Sequence, residues 1–170
     1  TFTTKTAPSG MNQTTNVNGW TDIPGMSASI YSPKNGQVTA SFSAEAFVSK
    51  GKRFALRAVI DGAPMTPGDV IFVNANPSAS SQAMTFGIKN VAAGWHTVKF
   101  QWLVDAGGTA TVGDRSLAIS ALPVRTDGGS HQFLAANSGA NVETPKEVST
   151  PVELPGMSLK FDIPATGNGE

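Results

Sequence analysis

Residues 96–104 read HTVKFQWLV, and this stretch sets the class of fold. Its bulky apolar residues Val98, Phe100, Trp102 and Val104 occupy every second position, and polar residues fill most of the positions between them. A strand turns successive side chains to opposite faces, so this alternation predicts a β-strand with one buried face. We expect the aromatic face that includes Trp102 to lie in the core.

The same period of two extends outward from this strand, between residues 26 and 122. Helical spacing is not sustained in that range, and turn signals such as Asp61-Gly62 separate the alternating runs. Residues 70–73, VIFV, form a short continuous apolar run, which is typical of a strand buried on both faces. Roughly eight short strands predict an all-β fold, an antiparallel β-sandwich of jelly-roll type with an extended C-terminal arm.

The composition limits the partners that the chain is expected to have. Its 170 residues fit one sizeable domain with some extra length. Twelve basic and 12 acidic residues balance, which argues against nucleic acid as a partner. Charged residues make up only 14% of the chain, so we expect protein partners to cover part of its surface. Cysteine is absent, and the apolar runs are too short to cross a membrane, so we expect no disulfide and no membrane partner.

The alternating pattern stops after Leu122, which predicts two parts. Residues 1–122 form the jelly roll with an N-terminal strand segment, and residues 123–170 form an arm that ends in a strand at 153–163. The apolar positions of that strand are Met157, Leu159, Phe161 and Ile163. Burying four apolar side chains does not offset the entropy lost when the strand orders, so a partner must add backbone hydrogen bonds. We therefore expect these four residues to bind a sheet edge of a partner protein.

A short repeat links the two ends of the chain. The sequence DIPGMS at residues 22–27 recurs as ELPGMS at residues 153–158, and an alternating strand follows each copy. Chance similarity in a chain rich in Pro and Gly, a functional mimic and a relic of duplication all remain open.

Candidate catalytic residues are few. The only histidines are His96 and His131, and no nucleophile elbow, zinc motif or phosphate loop accompanies them. Because His96 opens a core-facing strand, we expect a hydrogen-bonded structural histidine there. Four aspartates, Asp61, Asp69, Asp105 and Asp114, stand beside turns and could line a calcium site or act as a glycosidase pair, but turn formation is the simpler interpretation. We expect no catalytic residue, no metal, no cofactor and no enzyme activity.

Two arginines lie within strands, each close in sequence to an aspartate. Arg57 precedes Asp61 by four residues, and Arg115 directly follows Asp114. Unpaired burial of either charge is costly, so we predict that these residues form structural ion pairs.

The three tryptophans, Trp20, Trp95 and Trp102, raise a different possibility. Exposed aromatic rings can stack on sugars, and Trp95 stands in a Gly94-Trp95-His96 turn where exposure is possible. Packing in the core or at an interface remains the favoured interpretation for all three.

Four motifs carry a family resemblance. They are GWTDIPGM at 19–26, FxLRxxxDG at 54–62, AGxHTVxxQW at 93–102 and GTAxxxDRxL at 108–117. Over about residues 15 to 122 the chain resembles a jelly-roll domain of phage virion proteins, which occurs in tail fibres and in small head or tail proteins. It is distantly similar to the trimeric heads of tumour necrosis factor and complement C1q. The resemblance implies a trimeric, non-enzymatic structural module without a cofactor.

These observations lead to one expected function and one alternative. A compact domain with a long arm and no fibre shaft suits a head decoration protein, which would stabilise the capsid by trimerising on its surface and clamping neighbouring subunits. The expected partners are further copies of the chain and the major capsid protein or other virion proteins, and the arm strand would bind one of these. The alternative is a tail-associated module that binds a receptor or a polysaccharide.

Overall fold

The structure is a computed structural model that describes residues 1–7 and 12–123. The secondary structure of this part of the chain consists of ten strands. They are β1 (Phe2–Thr6), β2 (Gln13–Thr15), β3 (Thr21–Ser32), β4 (Gly36–Val48), β5 (Arg53–Ile60), β6 (Ala63–Pro64), β7 (Val70–Asn74), β8 (Ser80–Val91), β9 (Gly94–Val104) and β10 (Ala110–Pro123). All ten belong to one compact unit. The predicted arm beyond Pro123 and the second copy of the repeat lie outside the described residues, as do Met157, Leu159, Phe161 and Ile163, and what the sequence indicates for them stays a prediction.

The strands form two antiparallel sheets. The first sheet has the order β1-β10-β4-β8, with β2 also paired to β10, and the second has the order β3-β9-β5, with β6 and β7 both paired to β5. Four of the antiparallel pairs are nested along the chain: β5 with β7, β4 with β8, β3 with β9 and β1 with β10. A nested set of antiparallel pairs distributed over two sheets is the jelly-roll arrangement, so the predicted fold class is confirmed.

The core lies between the two sheets and is lined by the residues that the alternation predicts. Val98, Phe100, Trp102 and Val104 of β9 are all buried, and Phe42 of β4 packs against Phe100 with ring centroids 5.1 Å apart. Trp102 is only 2% exposed and meets Phe54 edge to face at 5.9 Å. The prediction that Trp102 belongs to the core is therefore confirmed.

The first copy of the repeat forms an irregular stretch of β3. The register between β3 and β9 shifts between Asp22 and Ser27, where Gly25 has a φ of 79°. A positive φ is strained for residues with a Cβ, so glycine suits this position. The irregularity lets Ile23 and Met26, three residues apart, both enter the core.

The apolar run at 70–73 departs from its prediction. It forms β7, which among the described residues pairs only with β5, and its Ile71 is 52% exposed. Its consecutive residues Phe72 and Val73 are buried at an irregularity in the pairing with β5, while Ile71 faces outward, so the expectation of burial on both faces is wrong. A short apolar run cannot by itself reveal which faces of its strand will be covered.

Candidate functional site

The outward side of the second sheet brings together charged and aromatic residues from three strands. Side chains of β9 at positions 95, 99 and 101 point away from the core, because their even-numbered neighbours fill it. The register places Tyr31 opposite Trp95, and places both Asp22 and Arg57 opposite Gln101. We call this surface the β9 face and define it by Asp22, Tyr31, Arg57, Trp95, Lys99 and Gln101.

A hydrogen-bonded network crosses the middle of the β9 face. Lys99 Nζ donates to Asp22 Oδ2 at 2.8 Å, and Gln101 Nε2 donates to Asp22 Oδ1 at 2.7 Å. These two hydrogen bonds, from Lys99 and then from Gln101, lower the pKa of Asp22. Gln101 also accepts a hydrogen bond from Arg57 Nε at 2.8 Å. The network therefore joins β3, β9 and β5 while its charged ends remain accessible to solvent.

Arg57 has partners other than the predicted one. Its guanidinium carbon lies 4.3 Å from the centroid of the Trp20 ring, and its Nη1 lies 3.9 Å from Asp69 Oδ1. Asp61 instead pairs with His96. In place of the predicted pairing with each other, Arg57 and Asp61 therefore have these other partners.

His96 lies near the start of β9, between two hydrogen-bond acceptors. Its Nδ1 lies 2.6 Å from Asp61 Oδ2 and its Nε2 lies 2.9 Å from the Ala92 carbonyl oxygen. Both partners accept hydrogen bonds, so the doubly protonated imidazolium satisfies both contacts at once. The hydrogen bond to Asp61 raises the pKa of His96, although burial opposes it. His96 is thus the hydrogen-bonded structural histidine that the sequence predicts.

Asp61 is fixed from a second side. Its Oδ1 accepts a hydrogen bond from the Thr97 amide at 2.8 Å. Burial raises the pKa of Asp61, but the hydrogen bonds from Thr97 and His96 outweigh burial, and the net effect lowers this pKa. The carboxylate therefore ties the β5–β6 turn to the start of β9.

An aromatic pair stands at this end of the β9 face. The Tyr31 and Trp95 rings lie with centroids 5.3 Å apart and planes inclined by 54°. Trp95 is 73% exposed and Tyr31 is 43% exposed. The interpretation that Trp95 packs in the core is therefore wrong. Among the described residues its ring packs on Tyr31, and it otherwise faces solvent.

The turn that precedes Trp95 is held on both sides. The Ala93 amide donates to Asn35 Oδ1 at 3.0 Å, and the Ala92 carbonyl accepts from His96. Gly94 completes the turn with a φ of 134°, which suits glycine. The exposed indole therefore projects from the start of β9, directly after a turn that is braced by the side chains of Asn35 and His96.

Arg115 and Asp114 occupy different environments. Arg115 is buried and donates to the carbonyl oxygens of Gly113 at 3.0 Å and Pro24 at 3.2 Å, which ties β10 to β3 across the sandwich. Burial lowers the pKa of Arg115. Asp114 is exposed. Adjacent strand residues point to opposite faces, which makes an ion pair between these neighbours unfavourable, and the predicted pairing stays a prediction.

The outward side of the first sheet has a different chemistry. Phe2, a large exposed ring, ends the Ser120 row at the β1 edge. The other side chains of the central rows are small and uncharged: Thr4, Thr6, Thr39, Ser41, Ser43, Ala83, Thr85, Ser116, Ala118 and Ser120. We call these ten residues the hydroxyl face. The Ser41 and Thr85 hydroxyls lie 2.8 Å apart, as do those of Ser43 and Ser116, so neighbouring strands satisfy each other's polar groups. Charged residues begin at its ends, at Glu45 and Lys89.

Four acidic residues of the described chain, Asp22, Asp61, Asp69 and Asp105, each pair with a basic side chain. Asp105, one of the four turn aspartates, accepts hydrogen bonds from the side chain and the amide of Arg53. Within residues 1–7 and 12–123, no group of three or more His, Cys, Asp or Glu is placed to hold a metal ion. No helix in the described residues is long and apolar enough to cross a membrane.

Comparison with known proteins gave distant structural similarity. No family model matches the chain, and no curated protein matches it. A structure of infectious bursal disease virus, Gx strain, is 15% identical with a TM-score of 0.45 over 70% of this chain, and the chain spans about a third, 31%, of that protein. The CBM36-1 domain of a multidomain xylanase from the hindgut metagenome of Trinervitermes trinervoides is 15% identical with a TM-score of 0.39, over 73% of this chain and 100% of that domain. At these TM-scores, neither similarity carries an assignment of function.

Proposed function

We propose that the chain is a non-enzymatic structural protein of a bacteriophage virion, a head decoration protein that trimerises on the capsid surface. The observation that carries the proposal is the hydroxyl face. Ten adjacent outward positions on four strands carry no charged side chain, whereas an isolated sheet face normally mixes charged residues of both signs. A face of this composition suits contact with protein.

The chemistry of the hydroxyl face favours a close protein contact. Small side chains let a second backbone surface approach, and the paired hydroxyls reduce the cost of removing water because each already has a partner. We propose that copies of the chain bury this face against one another around a threefold axis.

The hydrogen bonds and ion pairs of the titratable residues support a role without catalysis. Both ring nitrogens of His96 are occupied by acceptors, so this histidine has no free nitrogen to act as a base. Asp22, Asp61 and Asp105 each accept from basic side chains. These contacts are typical of structural pairs.

The arm supplies the proposed attachment to the particle. In this proposal residues 123–170 reach a neighbouring subunit or the major capsid protein, where Met157, Leu159, Phe161 and Ile163 add a strand to an open sheet edge. Hydrogen exchange tests the arm, because residues 157–163 are expected to exchange fast in the isolated chain and slowly on the particle. Strong protection in the isolated monomer would contradict it.

Two measurements test the proposal as a whole. Light scattering of the full chain is expected to give three times the 17.5-kDa mass of one copy, and a monomer at micromolar concentration would count against self-assembly in solution. Gold-labelled antibody on intact virions is expected to mark the head surface. Label confined to the tail would instead support the alternative, a tail-associated module that binds a receptor or polysaccharide, which the exposed Tyr31–Trp95 pair favours.

A further inference from the structure

We infer that the β9 face is a binding site for a neutral saccharide, with Trp95 and Tyr31 as a stacking platform and the Asp22–Lys99–Gln101–Arg57 network as a row of hydroxyl-binding groups. The inference goes beyond head decoration. It rests on the sheet surface alone, so it holds for either location of the chain in the virion.

The aromatic pair is exposed and braced in advance. The Trp95 indole is 73% exposed, so much of its apolar surface is in water, and contact with a ligand would bury that surface. The turn below it is held by the Asn35 side chain and by His96, so little conformational freedom remains to be lost when a ligand binds. The CH-rich face of a pyranose ring is a flat apolar surface that matches such a platform.

The size of the platform favours a sugar over a protein. From their exposed fractions, the two side chains leave roughly 250 Å² accessible. A stable protein interface needs about 800 Å² on each partner. The ring pair alone is therefore too small for a protein interface, but it is of the size that one or two sugar rings cover.

The polar network continues the site along the strand. At about 3.3 Å per residue, Lys99 lies about 13 Å from Trp95 and Gln101 lies about 20 Å from it, on the same side of β9. Carboxylate, ammonium and amide groups retain hydrogen-bonding capacity beyond their mutual contacts, and both Asp22 and Lys99 are about half exposed. They can therefore bond the hydroxyl groups of further sugar units.

The charge balance specifies a neutral ligand. Lys99 and Arg57 are matched by Asp22 and Asp69, so the network has no net charge. An anionic or a cationic glycan would gain no net attraction from it, whereas neutral hydroxyl groups can use both donors and acceptors.

The test is a titration of the ¹⁵N-labelled full chain, followed by NMR, with neutral hexasaccharides of β-1,4-glucose, α-1,4-glucose, β-1,4-xylose and β-1,4-N-acetylglucosamine. We expect at least one to shift the indole N–H signal of Trp95 saturably, while that of buried Trp102 stays in place. In the variants binding is followed through the backbone amide signal of Lys99, and Trp95→Ala and Tyr31→Ala should each weaken it about tenfold. Phe2→Ala removes an aromatic ring that is 67% exposed on the other sheet and should leave binding unchanged.

Three outcomes would overturn the inference. The first is that none of the four saccharides shifts the Trp95 signal. The second is that binding is unchanged in both Trp95→Ala and Tyr31→Ala. The third is a Trp95 signal that moves with protein concentration in the absence of sugar, which would assign the ring pair to self-association. Trp95 is mostly solvent-exposed, so its replacement should leave the fold intact, and Tyr31→Ala provides a second, independent variant.

Discussion

The contact between His96 and Asp61 predicts a stability that depends on pH in a defined direction. The folded pKa of His96 is raised above 6.5, so its contribution is fully present below pH 6.5 and is lost as the pH rises through the folded value. The folded pKa of Asp61 is lowered below 3.8, so its contribution is present above pH 3.8 and is lost as the pH falls through the folded value. The pair therefore stabilises the fold most between about pH 4 and pH 6.5.

The size of the effect follows from the exposure of the two groups. A hydrogen bond between charged groups contributes about 1.5–3 kcal/mol when it is shielded from water. Asp61 is 51% exposed, so solvent screening reduces the contribution to about 1 kcal/mol. For a unit of this size, that free energy of unfolding corresponds to a change in Tm of about 3–6 °C.

The assay is thermal unfolding at pH 6 and pH 8.5, followed by circular dichroism. The wild-type chain should lose about 3–6 °C more between these two pH values than His96→Gln, which cannot become charged. His131→Gln is the matched control, since it removes the other histidine and should keep the wild-type pH dependence. An equal loss of Tm in wild type and His96→Gln, or a pKa at or below 6.5 for His96 by NMR, would refute this account.

Three further predictions address the core, the hydroxyl face and the arm. Trp102→Ala should lower the free energy of unfolding by about 3–5 kcal/mol in urea, whereas Trp95→Ala should change it by less than about 0.5 kcal/mol, and a similar loss for both would contradict their opposite burial. Ala118→Arg should reduce the mass measured by light scattering to that of one copy, while Thr97→Arg on the other sheet should leave it unchanged; an unchanged mass in both variants would place the interface elsewhere. Deleting residues 123–170 should leave a folded jelly roll, by circular dichroism, that no longer cosediments with phage heads, and retained binding would remove the proposed role of the arm.

The inward face of β9 could be predicted because alternation is a local property. Each apolar residue at positions 98, 100, 102 and 104 meets the core whatever strands lie beside it. The Asp61-Gly62 turn could also be predicted from the sequence. Its two residues adopt a positive φ, 49° and 87°, and a two-residue connection of this kind favours the dipeptide Asp-Gly. Local chemistry decides both features.

Features that depend on strand pairing were harder to predict. Ile71 is exposed because it stands opposite Ala55 on the outward side of the second sheet, and nothing within the run VIFV indicates which of its faces will be covered. Asp61 meets His96, 35 residues away, because Ile60 stands opposite Val98 in the β5–β9 pair, which brings the next residues together. The alternation in β5 and β9 gives the two strands, but only their register reveals the Asp61–His96 contact.

The two outward faces make the structural and binding proposals compatible. The hydroxyl face lies on one sheet and the β9 face on the other, so burying the first against neighbouring copies leaves the second accessible. If the proposed trimer used the β9 face instead, the charges of Asp22 and Lys99 would leave water on assembly, which is costly even for a pair. The hydroxyl face has no such charges, so assembly through it costs less. A trimer built in this way would display the Tyr31 and Trp95 rings on its outside, where a saccharide can reach them.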